Sequence, residues 1–175
     1  MRAAVIMMAG AVAVAAWPGA AEVKAADTGG FLVASTVLIA APPEKVWAAL
    51  VEPARWWDAE HGWSKDGANI RLDPVVGGCF CEAIPATKGE VEHLRVIFVM
   101  PGQVLRLRGA LGPFQTMGVS GALEWTIKPV DGGTQLNQSY AIGGFIPGGG
   151  ASLAAVVDQV MSGQLNRLKA FVEKK

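Results

Sequence analysis

The chain has 175 residues, room for one domain with a single core. Half of them are hydrophobic (51%), and 15 basic residues balance 15 acidic ones. A net charge of zero with no basic run lacks the electrostatic footprint that nucleic-acid binding needs, so no nucleic-acid partner is expected.

Met1-Arg2 makes a short positive start, and residues 3–17 form an almost unbroken apolar run. A small-residue segment follows, with cleavage points after Ala21 and after Ala25. This is the layout of a secretory signal peptide. The run is too short and too rich in Ala and Gly for a membrane span, which takes ~20 strongly apolar residues. Residues 1–25 are therefore read as a signal peptide and residues 26–175 as one domain. The expected location is exported, in the periplasm. No later apolar run is long enough to span a membrane.

Alternation and turn signals predict the first strand over residues 31–40. Pro42 and Pro43 then open a short helix to about residue 51, with Pro43 suited to the first helical position. Glu44 places negative charge at the positive end of that helix, and Val46, Trp47 and Leu50 share one face. A second short helical segment covers 54–58. Further strands are predicted over 68–73, 79–84, 89–100, 104–109, 119–128 and 134–142. Asp131-Gly132 marks the last hairpin. A Gly/Pro loop, residues 143–150, leads to a long helix over 152–173 with a broad apolar stripe that includes Val157 and Met161. The fold class is thus α+β. A seven-stranded antiparallel sheet curls around the long C-terminal helix, its only large partner, and two short helices lie between strands one and two.

Several motifs carry a family resemblance. The first strand ends in Ala-Pro-x-x-x-Val-Trp (residues 41–47), a Trp-Trp segment follows at residues 56–57, and Gly-Gly-x-Phe-x-Glu occupies residues 77–82. Pro101-Gly102 before Leu-Arg-Leu, the strand carrying Trp125 and the final helix fit the same pattern. Over residues 31–173 the chain resembles the START-like, helix-grip (SRPBCC) superfamily, on its polyketide cyclase/dehydrase-like and chaperone-ATPase-activator-like branch. The resemblance implies an apolar cavity between sheet and terminal helix that holds a hydrophobic small molecule.

Turn geometry assigns faces. A two-residue turn at Pro101-Gly102 sets Phe98 opposite Leu105 and Val96 opposite Leu107, all four inward. The Asp131-Gly132 turn sets Trp125 opposite Gln138 and Leu123 opposite Tyr140, so these also face the cavity. Gln138 and Tyr140 would be polar groups on a greasy wall, orienting a ligand or satisfying each other or buried water. A two-residue turn at Ala86-Thr87 sets Cys81 opposite Glu92 and Cys79 opposite Leu94. Both cysteines then point inward, and Phe80, Glu82, His93 and Arg95 point to solvent. A one-residue shift would instead turn Phe80 and Glu82 inward.

The chemical motifs are sparse. Cys79 and Cys81 stand ~6.5–7 Å apart on an ideal strand, at the edge of disulfide reach. They are read chiefly as small side chains in the cavity wall. Glu82 and His93 are the candidate catalytic pair, an acid/base set that the favoured register leaves exposed. Trp63, in a loop with Trp56, Trp57 and His61, is a candidate for the cavity mouth, and residues 143–150 for its gate. No metal site is expected, because His61 and His93 stand alone at no recognised zinc spacing. No cofactor motif is present.

The expected ligand-binding set is Trp63, Cys79, Cys81, Val96, Phe98, Leu107, Leu123, Trp125, Gln138, Tyr140, Val157 and Met161. Three functions compete. The first is an exported carrier or sensor of a lipid-like or aromatic molecule. The second is a cyclase/dehydratase-type enzyme on a polyketide-like or aromatic substrate. The third is a protein-interaction module of the chaperone-activator type, which export disfavours.

Overall fold

The computed structural model describes residues 21–174. Its elements are β1 (Ala21–Ala26), β2 (Gly30–Ile39), α1 (Pro43–Leu50), β3 (Ile70–Leu72), β4 (Cys79–Ile84), β5 (Gly89–Met100), β6 (Val104–Gly109), β7 (Val119–Val130), β8 (Gly133–Gly144) and α2 (Ala151–Glu173). All strand pairs are antiparallel, in the order β1-β2-β8-β7-β6-β5-β4-β3. The sheet therefore has eight strands where seven were expected. The extra one, β1, lies across the two cleavage points read from the sequence, most of the expected leader being outside the described residues. The expected second short helix is a single tight turn, Pro53–Arg55.

Period-two alternation explains the sheet's inner face. Phe31, Val33, Val37 and Ile39 of β2 are buried, as are Leu136, Tyr140 and Ile142 of β8. Leu123, Trp125 and Ile127 of β7 continue the wall, followed by Leu105 and Leu107 of β6. Against this wall lie Met161, Leu165, Leu168 and Val172 of α2. α1 starts at Pro43 as expected, with Glu44 in its first turn, and buries Val46, Ala49 and Leu50. Trp47 is only partly buried and packs against the core.

Polar contacts pin α2 at both ends. Near its C-terminus, Glu173 accepts the Ala40 N–H at 2.8 Å, and Lys169 donates to the Leu38 carbonyl. At its start, the Ala151 N–H bonds the Asp27 carbonyl at 2.9 Å. Gly150 allows the close approach there, since an added Cβ would sit 2.3 Å from the Gly30 carbonyl oxygen.

Two bulges reset the faces. The β5–β6 turn has three residues, pairing Met100 with Val104, so Phe98 opposes Arg106 rather than Leu105. Phe98 is thus exposed, with the Arg106 guanidinium over its ring at 5.2 Å. An irregularity at Ile97 then restores the expected Val96–Leu107 pair. Between β4 and β5 the Cys81–Glu92 pair stands as expected, but the next pair is Phe80–Leu94. His93 is the extra residue. Phe80, Glu82, His93 and Leu94 are consequently all buried, which corrects the expectation that Phe80, Glu82 and His93 face solvent. The β7–β8 register matches its turn, with Trp125 opposite Gln138 and Leu123 opposite Tyr140.

Cys79 and Cys81 are disulfide-bonded, with Cα atoms 5.4 Å apart. That is closer than the ~6.5–7 Å of an ideal strand, so the pair is a cross-link rather than two separate small side chains in the cavity wall.

Candidate functional site

The N-terminal half of α2 does not seal against the sheet. A cavity of about 270 Å³ opens there. Leu153, Val156, Val157, Val160 and Met161 of α2 form one wall. Phe80, His93 and Tyr140 rise from the sheet, and Trp57 and His61 come from the segment after α1. Residues 111–114 and Met117, between β6 and β7, close the remaining side. Among the described residues, no Lys, Arg, Asp or Glu lines it. Such a space takes a small apolar ligand and fixes it with very few polar contacts.

Of the residues expected at the site, Tyr140, Val157 and Met161 lie on the cavity surface. Val96, Leu107, Leu123 and Trp125 are buried in the solid core beneath it. Gln138 is committed elsewhere. It accepts the Trp125 indole N–H at 2.9 Å and donates to the Met161 carbonyl at 2.8 Å, tying β7 and β8 to mid-α2. Phe98, Cys79 and Cys81 do not line the cavity, and Trp63 is 54% exposed with its ring outside. Residues 143–150 line no part of it either. Within the Trp/His-rich segment expected at the cavity mouth, Trp57 and His61 line it rather than the favoured Trp63, and Phe114 is a lining residue outside the expected set. No local pattern distinguishes the Trp57 and His61 side chains from that of Trp63.

The polar centre is Glu82, whose side chain is wholly buried. Its Oε1 accepts the Ser64 N–H at 2.6 Å, and its Oε2 accepts the Trp63 N–H at 3.0 Å. His93 Nε2 reaches the same Oε2 at 2.9 Å. Gly62 lets the loop come this near, because an added Cβ would lie 2.9 Å from Oε1. Burial by itself would raise the carboxyl's pKa, but the Ser64 and Trp63 donors and His93 outweigh it and hold the group below its ordinary value. Glu82 is thus ionised and can only accept. His93 Nε2 must carry the proton, which leaves Nδ1 bare in the neutral ring. Burial pushes His93 below its ordinary value although Glu82 pulls the other way. The Tyr140 hydroxyl accepts the Leu111 N–H at 2.9 Å, so its own hydrogen remains to be given. Burial raises its pKa, keeping it protonated.

These shifts make stability fall with acid. Below the ordinary histidine value of 6.5, the unfolded chain binds a proton that folded His93 resists. Below 4.5 the unfolded glutamate binds one that Glu82 resists, and that loss ends only when Glu82 itself protonates. Urea midpoints should therefore drop in two steps as pH falls from neutrality, and His93→Gln should remove the upper step. A profile flat between pH 7 and 5 in the native chain would contradict this arrangement.

One curled antiparallel sheet gripping a long C-terminal helix, with an apolar cavity between them, defines a helix-grip protein of the hydrophobic-ligand-binding or polyketide-cyclase-like kind. The chain belongs to the family described as polyketide cyclase/dehydrase and lipid transport, whose profile matches residues 31–173. No curated protein matches it. Solved structures share the fold. A Rhizobium leguminosarum protein is 20% identical with a TM-score of 0.62, the match covering 91% of this chain and all (100%) of that one. CalU16 from Micromonospora echinospora is 16% identical at TM-score 0.58, over 90% and 87% of the two chains. Protein CV1439 from Chromobacterium violaceum is 20% identical at TM-score 0.57, over 82% and 98%.

Proposed function

We propose that the protein is an exported carrier or sensor that binds a hydrophobic small molecule between its sheet and α2. The observation that carries this reading is the cavity itself, with five apolar α2 side chains facing aromatic walls and, among the described residues, no charged side chain in its lining. Export into the periplasm rests on the charged start and apolar run of residues 1–17. Of the two cleavage points, the one after Ala21 agrees better with the fold. It keeps residues 22–26, which pair with β2, whereas a cut after Ala25 would strip most of that strand.

Native mass spectrometry of the protein released from the cell envelope tests both parts together. The expected spectrum has a chain shortened by the leader and an added mass of a few hundred daltons that departs on activation. A chain beginning at Met1 overturns export. An empty cavity in material that has never been stripped or refolded overturns the carrier reading.

A second reading, cyclase/dehydratase-type chemistry on an aromatic or polyketide-like compound, is favoured by the Glu82–His93 pair. A histidine oriented by a buried carboxylate is the arrangement of a general base. Turnover of such a compound that His93→Gln abolishes, with binding retained, would put this reading first.

A further inference from the structure

The cavity's walls say that its ligand is apolar; its few polar atoms say more. His93 is held by Glu82 through Nε2, and Nδ1 makes no hydrogen bond among the described residues. Nδ1 is thus an unpartnered ring nitrogen on a residue that lines the cavity. It is a fixed acceptor: the ionised carboxylate behind it keeps the proton on the other nitrogen. A ligand that meets it must bring a hydrogen. Trp57, Phe80, Phe114 and Tyr140 surround the same space, and the Phe80 ring stands 5.2 Å from Trp57 and 5.3 Å from His93. Flat rings pack well against such walls.

Charge narrows the choice further. A full charge, the Glu82 carboxylate, stands directly behind His93, and among the described residues no Lys or Arg lines the cavity to offset a second anion. A ligand carboxylate would lose its water, face a like charge in a poorly solvated site and meet a bare lone pair at His93. A neutral hydroxyl faces no like charge, and the bond it gives to His93 offsets its smaller loss of water.

We infer that the cavity selects neutral aromatic alcohols of the phenol class, with His93 Nδ1 accepting the ligand hydroxyl, and rejects the corresponding carboxylates. Tyr140 completes the selection, because its free hydrogen can serve a carbonyl or ether oxygen elsewhere on the ligand. This inference rests on the small-molecule reading above and adds to it the chemistry of the ligand.

Three probes of one shape test it: naphthalene, naphthol and naphthoate, titrated near neutral pH, where naphthol keeps its proton and naphthoate does not. Tryptophan fluorescence reads the binding, since Trp57 lines the cavity. Naphthol should bind about tenfold tighter than naphthalene, the scale of one well-placed buried hydrogen bond. Naphthoate should be at least about tenfold weaker than naphthol. His93→Phe should erase the difference between naphthol and naphthalene. If that variant fails to fold, nitrogen NMR of the native chain decides instead. The His93 Nδ1 signal should move with naphthol and stay put with naphthalene. Equal affinity for naphthol and naphthalene, or tightest binding of naphthoate, overturns the inference and leaves the cavity-binding reading standing. Failure of all three to bind overturns both.

Discussion

Truncating Glu82 to alanine should lower the unfolding free energy by about 3–5 kcal/mol, among the largest single-residue effects in the molecule. The carboxylate serves three donors at once: the Trp63 N–H, the Ser64 N–H and His93 Nε2. Alanine strands all three in a site where the glutamate side chain has no exposure, and each buried orphan costs about 1–3 kcal/mol. Water entering the space left behind recovers part of that sum. At about 2–4 °C per kcal/mol for a domain of this size, the melting temperature should fall by roughly 10 °C. Glu82→Gln should cost less, since it keeps one acceptor, but its amide must point two hydrogens at groups that are themselves donors. Urea denaturation of both variants measures the effect. A Glu82→Ala loss within about 0.5 kcal/mol, the range of ordinary surface changes, would mean that the carboxylate is not buried and bonded as described. Glu82→Ala combined with His93→Phe should be distinctly less harmful than the two losses added, because the second change removes one of the stranded donors.

The second large effect lies in the C-terminal half of α2. Leu168 is fully buried, on the stretch of the helix that packs solidly on the sheet. Leu168→Ala removes buried methyl groups and leaves a void, costing about 3 kcal/mol. Val156→Ala, on the cavity stretch of the same helix and 53% exposed, should cost under about 0.5 kcal/mol. The contrast tests the division of α2 into a structural half and a ligand-facing half. Chemical denaturation reads the stability and naphthalene titration the binding. Leu168→Ala should leave the ligand affinity of the folded protein within a factor of about two. Similar stability losses for the two variants would mean that the helix is seated uniformly and that the cavity is not where it is drawn.

Much of this fold was legible before any coordinates. The β7–β8 hairpin is the clearest case: Asp131-Gly132 demands a two-residue turn, and that turn alone places Trp125 opposite Gln138 and Leu123 opposite Tyr140. α1 was equally plain, because two prolines and an acidic first turn leave little else for that segment to be. The site was harder to read. Val157, Met161 and Tyr140 fall on the cavity because they belong to regular elements whose period carries through. Glu82 and His93 were assigned to the wrong face although the Cys81–Glu92 pair was right, since one extra residue at His93 inverts every alternation argument beyond it. Trp63 was assigned by its ring, yet it contributes its backbone N–H.

The sequence by itself determined the element order, the β7–β8 register set by Asp131-Gly132, the apolar stripe of α2 and the family. All of these are local patterns, repeated every two or 3.6 residues and punctuated by Pro and Gly. Only the tertiary structure decided that Ala21–Ala26 joins the sheet as an eighth strand, that a bulge turns His93 inward while a three-residue turn sets Phe98 outward, and that a distant loop settles its N–H groups on Glu82. The physical reason is the same in each case. A bulge, an edge pairing and a loop docked on a buried charge gain their stability from partners far along the chain, and those partners leave no periodic mark on the segment that depends on them.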